Sequence, residues 1–217
     1  MNALPLAALQ SACEAELNRL WAGQDDGAHD LGHVRRVLAN ARRIALGEGG
    51  ADEEVLVPAA ILHDAVNLPK SDPDRARAST LSAEAAARFL AGLPGYPAAK
   101  IPAVAHAIAA HSFSAGIAPE TPEAEILQDA DRLEALGAIG IARMFHVAGQ
   151  MGGGLFDPDD PMALHRPRDD RRFALDHLET KLFPVAEAMR TATGRTMAAE
   201  RADWMASFRT RLLHEVE

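Results

Sequence analysis

Along most of the chain apolar residues recur every three or four positions, the spacing that buries one face of an α-helix. Leu6 to Ala22 opens the series, with Leu6, Leu9, Ala12, Cys13, Leu17, Leu20 and Trp21 facing inward. After a break at Gly23 to Gly27, a second helix runs to about Leu46, with Asp30 as N-cap and Leu31, Val34, Val37, Leu38 and Ala41 on its buried face. Glycines from Gly47 to Gly50 end it. A third helix starts at Asp52 and passes Val55, Leu56, Ala59, Ala60 and Leu62; its nearly continuous apolar character predicts burial on most sides. The same pattern places a fourth helix at Thr80 to Leu93 and a fifth at Ala98 to about His111. Thr121 as cap and Pro122 at the first position start a sixth, which carries its apolar stripe as far as Leu136. A glycine-spaced helix from Gly137, a polar loop from Gly149 to Asp170, and two long helices complete the chain. Those helices cover Arg171 to Arg190 and Arg195 to Glu217, with a turn at Thr193-Gly194.

The expectation is therefore an all-α fold. Composition strengthens it, because aromatic residues make up only 5% while alanine and leucine are plentiful, and strands prefer aromatic and β-branched residues. With 217 residues, 48% of them hydrophobic, the chain can bury a core as one domain, and neither a separate second domain nor an internal repeat is visible. The single Cys13 excludes an internal disulfide framework and a thiolate cluster. The N-terminus lacks the basic region of a signal peptide, and no run of about 20 uncharged apolar residues is present to span a bilayer. A cytoplasmic location with no membrane partner follows as an expectation. The formal charge of −9 argues against a nucleic acid polymer as partner, since that contact needs phosphate-neutralising cations. A phosphorylated small molecule would need a local basic patch or a metal instead.

Against this apolar background a few polar residues stand where helices should be buried. His63-Asp64 closes the third helix, just before Asn67-Leu68-Pro69-Lys70. Burying an imidazole and a carboxylate without partners costs on the order of several kcal/mol, and a divalent cation satisfies both. An isolated pair of this kind can equally cap a helix end, so its company decides. His33 sits one turn into the second helix beside the buried face, with His29 four residues earlier. Asp129 and Asp131 interrupt the sixth helix; two apart, they point in different directions, so at most one can face a common centre. His106 and His111 are five apart, about 140° around a helix, and cannot share one centre unless the helix ends between them. His111, at a helix end, is a candidate to line the site. Lys70, one of only three lysines, and Arg75 are candidate phosphate contacts, with a solvated loop as the plainer alternative. Two imidazoles and two carboxylates, His33, His63, Asp64 and Asp131, suit Mn²⁺, Mg²⁺, Fe²⁺, Co²⁺ or Zn²⁺.

In Gly-His33-Val-Arg-Arg-Val, Leu-His63-Asp64 and Asp-Ala-Asp131-Arg-Leu, the chain resembles the HD-domain metal-dependent phosphohydrolases, over roughly Asp25 to Leu136. The stretch from Asn67 through Arg75, and Asp176-His177-Leu-Glu-Thr-Lys181-Leu, resemble small bacterial members. The resemblance implies a helical bundle in a single HD-type domain, with its core at about 25–136 and a helical extension at about 170–217. It implies one divalent metal held by His33, His63, Asp64 and Asp131, with Asp131 rather than Asp129 as ligand and Asp129 beside it. It further implies hydrolysis of a phosphate ester or anhydride, with a nucleotide as the expected substrate; a homodimer is compatible with it. Asp64, Lys70, Arg75, Asn67 and His111 are the expected catalytic residues, with Lys181 as a further cation. Several nucleotide-hydrolysing HD families carry Glu three residues after the pair; here that residue is Asn67, whose amide cannot exchange a proton near neutral pH. Two other readings stay open: a di-iron HD oxygenase using extra histidines such as His106 and His111, and a non-catalytic nucleotide-binding regulator.

Overall fold

The structure is a computed structural model, and it describes residues 4–22, 31–68, 72, 74–112 and 115–216. The regular secondary structure of the described residues is helical, with an isolated bridge between Gly154 and Phe173 as the only strand-like pairing among them. None of their helices is long and apolar enough to cross a membrane. The chain divides into two compact units, Met1–Asp131 and Arg132–Glu217.

In the first unit the helices are α1 (Leu6–Trp21), α2 (Leu31–Gly47), α3 (Glu53–Leu62), α4 (Ala78–Ala91), α5 (Ile101–His111) and α6 (Pro122–Arg132). α3 is the axis of this unit, packed against α1, α2, α4 and α5. Its residues from Val55 to Leu62 are all buried, which is why its sequence lacks a polar face. Asp52 caps it, accepting the Glu54 N–H at 3.0 Å, and Lys100 pairs with Asp52 and Glu54 at 2.6 Å each. Pro58 sits inside α3 without breaking it. A proline there offers no N–H to the carbonyl four residues back, that of Glu54. The Tyr96 hydroxyl takes that place, donating to the Glu54 carbonyl at 2.8 Å. α6 is tied in by Glu123, which accepts the Asp52 N–H at 2.9 Å, and starts as its cap predicts: the Ala124 N–H donates to the Thr121 hydroxyl at 3.2 Å.

The second unit departs from the periodicity. The sixth helix stops at Arg132 instead of Leu136; a 3₁₀ turn, Leu133–Ala135, leads to Gly137 at φ +71° and α7 (Gly137–Gln150). A Cβ at Gly140 would lie 2.1 Å from the Ala135 carbonyl oxygen, so only glycine lets α7 leave the turn so sharply. Arg171 to Arg190 is not one helix. Turns continue through Leu175, then a π-helical segment, Leu178–Leu182, leads into the short α8 (Phe183–Glu187). Pro184 accounts for part of this, because it lacks the N–H that an uninterrupted α-helix needs. Thr193-Gly194 is not a turn but lies within α9 (Ala192–Val216). The break falls before it, where the Thr191 hydroxyl accepts the Gly194 N–H at 2.9 Å as an N-cap. The long loop is held from inside by Arg166, which grips buried Asp176 through two bonds of 2.6 and 2.9 Å, while the Asp169 N–H donates to the same carboxylate at 2.7 Å.

Candidate metal centre

Four elements of the first unit deliver donors to one place: the first turn of α2 and the C-terminal ends of α3, α5 and α6. Helix C-termini carry partial negative charge, so three of them meeting favours a cation. His33 projects from the buried face of α2 and is 1% exposed. Its Nε2 stands 3.3 Å from His63 Nε2, 3.5 Å from Asp131 Oδ1 and 3.9 Å from Asp64 Oδ2. His63 is fully buried, with Nε2 3.4 Å from Asp64 Oδ2 and 3.8 Å from Asp131 Oδ1. His111, the last residue of α5, places Nε2 3.6 Å from Asp64 Oδ1. Asp64 thus turns one oxygen toward His33 and His63 and the other toward His111.

The rings are aimed from behind. His63 Nδ1 lies 2.9 Å from the Ala60 carbonyl and His111 Nδ1 2.6 Å from the Ile108 carbonyl. A carbonyl only accepts, so each Nδ1 carries the proton and the Nε2 lone pair faces the cluster in the neutral ring, the orientation metal-binding histidines use. The end of α5 is fixed as well. Ser79 donates to the Ala109 carbonyl at 3.1 Å and Gln128 to the Ala110 carbonyl at 2.8 Å, satisfying oxygens that a helix end leaves open.

Donors sharing one ion at ~2.0–2.2 Å stand roughly 3–4 Å apart, and the separations of the His33 and His63 nitrogens from each other and from the Asp64 and Asp131 oxygens lie in that range. Imidazole nitrogens with carboxylate oxygens also match a hard or borderline divalent cation. His33, His63, Asp64 and Asp131 therefore fit a metal, with His111 against the outer oxygen of Asp64. In the metal-free protein a proton takes over part of that charge. Burial pushes the His63 pKa down, but the charges of Asp64 and Asp131, a hydrogen bond to Asp64 and the Ala60 carbonyl together lift it from 6.5 to about 9. The carboxylates win over desolvation.

The other residues singled out in the sequence lie as follows. Asn67 is on the turn after the pair, half-buried. Arg75, in a 3₁₀ turn at Arg75–Arg77, donates to the Leu68 carbonyl at 2.7 Å, so it braces that turn. Asp129 is fully buried, whereas the Asp131 carboxylate beside His33 is 31% exposed. His106 accepts the Glu120 N–H at 2.9 Å, an engagement separate from the cluster. Lys181 is exposed in the second unit, where neighbouring His177 pairs with Asp170 at 2.8 Å. His29, the Asp30 cap and Lys70 lie outside the described residues. Periodicity assigned no role at the site to Trp21, Ser79, Ser82 and Gln128, whose bonds reach the site's backbone. The only signal was two serines three apart on the otherwise apolar inner face of α4.

Comparison with known proteins agrees with this geometry. The family model described as HD domain matches residues 30–136. The Bacillus subtilis protein YpgQ is 32% identical over 203 residues, covering 90% of each chain. The crystal structure of YpgQ in complex with ADP aligns at TM-score 0.71 and 27% identity, covering 97% of this chain and 96% of that one. An HD-superfamily hydrolase from Bacillus thuringiensis aligns at TM-score 0.73 and 28% identity, covering 97% and 98%.

Proposed function

Because the chain belongs to the HD-domain family of hydrolases, we propose that it is a metal-dependent phosphohydrolase acting on a nucleotide or a related small phosphate ester or anhydride. The observation that carries the reading is the convergence of Asp64 and Asp131 on the paired rings of His33 and His63, with the His63 and His111 rings held from behind by backbone carbonyls. YpgQ binds ADP in its crystal structure, which supports a nucleotide as the substrate class.

His33, His63, Asp64 and Asp131 would hold one divalent ion. Such an ion supplies Lewis-acid polarisation of a phosphoryl oxygen and makes water a stronger nucleophile near neutral pH. The protein's part is placement and charge. Asp64 would face the ion with one oxygen and faces His111 with the other at 3.6 Å, so these two residues are where a proton could be held beside an attacking water. Asn67 offers an amide to a water or a sugar hydroxyl, which fits its replacing the glutamate of related enzymes. Lys70 and Arg75, on the stretch that follows the pair, would counter the charge growing on the phosphoryl group.

Metal-stripped protein reconstituted with Mn²⁺, Mg²⁺, Fe²⁺, Co²⁺ or Zn²⁺ and screened against nucleotides and phosphate esters, with products identified by mass, tests this. Hydrolysis is expected with one metal per chain, and Asp64→Ala is expected to lose bound metal and at least 100-fold in turnover while keeping its helical circular dichroism. Full activity in that variant would reject the assignment, and replete protein inert to the whole panel would favour the regulator. The grouping of His63, Asp64 and His111 is the observation that favours the di-iron oxygenase. That reading needs a further histidine, and His106 is engaged elsewhere. Two irons per chain with oxygen-dependent turnover would establish it.

A further inference from the structure

α1 and α4 give no donor to the cluster, yet each sends one polar side chain to the backbone of the turn that carries Asp64. The Trp21 indole N–H, at the end of α1, donates to the Asp64 carbonyl at 3.2 Å. From the buried face of α4, Ser82 accepts the Val66 N–H at 3.0 Å and donates to the Val66 carbonyl at 3.4 Å. With Arg75 on the Leu68 carbonyl, every second residue from 64 to 68 is gripped by a side chain from another element. The turn begins where α3 has ended, so no helical ladder holds it. Asp64 must nevertheless aim one oxygen at His33 and His63 and the other at His111, and metal sites tolerate only a few tenths of an ångström in donor position. With its backbone fixed, only two side-chain torsions of Asp64 remain to be set.

We propose that Trp21 and Ser82 form a clamp of positioning residues that presets the Asp64 carboxylate for the metal; the proposal rests on the hydrolase reading above. They act through the backbone of the turn, by hydrogen bonds to the Asp64 carbonyl and to the N–H and carbonyl of Val66. Partners one step removed from a metal ligand typically change metal affinity by about 10–100-fold when lost. Their effect belongs to binding of the ion, and a merely structural role would instead appear in the melting of the metal-free protein.

Calorimetric titration of the metal-stripped full chain with Zn²⁺ tests this on the wild type, Trp21→Phe and Ser82→Ala. Each substitution removes a hydrogen-bonding group while keeping or shrinking the side chain. Zn²⁺ affinity is expected to fall about tenfold in each, with the metal-free melting midpoint within a few degrees of the wild type. Affinities within twofold of the wild type in both variants would overturn the clamp alone. A wild type that binds no divalent ion would overturn the hydrolase reading and the clamp with it. Should either variant misfold, Trp204→Phe carries the test, because it leaves Trp21 as the sole indole. Trp21 emission is then expected to keep its maximum through Zn²⁺ saturation, as a turn set before the ion arrives requires, and a shift that tracks the calorimetric midpoint would overturn the proposal.

Discussion

Burial alone would strip the proton from His63, since an imidazolium loses its hydration there; the carboxylates of Asp64 and Asp131 reverse the outcome and lift its pKa to about 9. Because that value lies above the ordinary 6.5, the proton's contribution to metal-free stability is complete below about 6.5 and is lost as pH rises through 9. A metal competes with the same proton. Apparent affinity for Mn²⁺ should therefore rise by up to tenfold per pH unit between about 6.5 and 9, with proton release near one per ion. Calorimetry in buffers of different ionisation enthalpy measures both quantities, and pH-independent affinity would contradict the assignment. Residues such as His33 and His63 were legible in the sequence because each is a polar residue beside an apolar helical face. The roles of Trp21 and Ser82 were not, because Trp21 reads as one more apolar position of its helix, Ser82 as one of two serines on an apolar face, and a bond to a distant backbone group leaves no periodic trace of its own.

Between residues and the molecule stand the helices, and α3 shows how a misfit is repaired. Pro58 leaves the Glu54 carbonyl without its helical donor, and Tyr96, far along the chain, supplies one. Burial, with lesser influence from nearby acidic groups, keeps the Tyr96 hydroxyl protonated well above its usual range, as a permanent donor needs. Tyr96→Phe removes that donor and little else, so it should lower stability by about 1–2 kcal/mol in urea unfolding. Tyr96→Phe combined with Pro58→Ala should recover most of the loss, because the helix then makes its own bond. The first six helices were readable because apolar spacing and caps such as Thr121 agree. Arg171 to Arg190 misled because its apolar residues also satisfy turns and a π-helical segment, and periodicity carries no information on Arg166 gripping Asp176.

For the whole chain, the all-α class followed from composition and spacing, whereas the division at Asp131 and Arg132 had no sequence mark, since it falls at the end of a helix. Every donor of the candidate centre lies on the near side of that division. A bound ion should stabilise the folded chain by mass action, about 2.7 kcal/mol at a free concentration 100 times its Kd. Melting with Mn²⁺ and then with a chelator reads this directly, and an unchanged midpoint would argue against a native site. The fork of Arg166 on Asp176 has a consequence of another kind. Exposed Arg168, Arg171 and Arg172 make the surrounding strap an inviting substrate for trypsin, yet cleavage requires some ten residues to peel away into an extended strand. Two bonds to a buried carboxylate resist that peeling, so the native protein should survive brief digestion intact, and Asp176→Asn should be nicked at those arginines at least ten times faster.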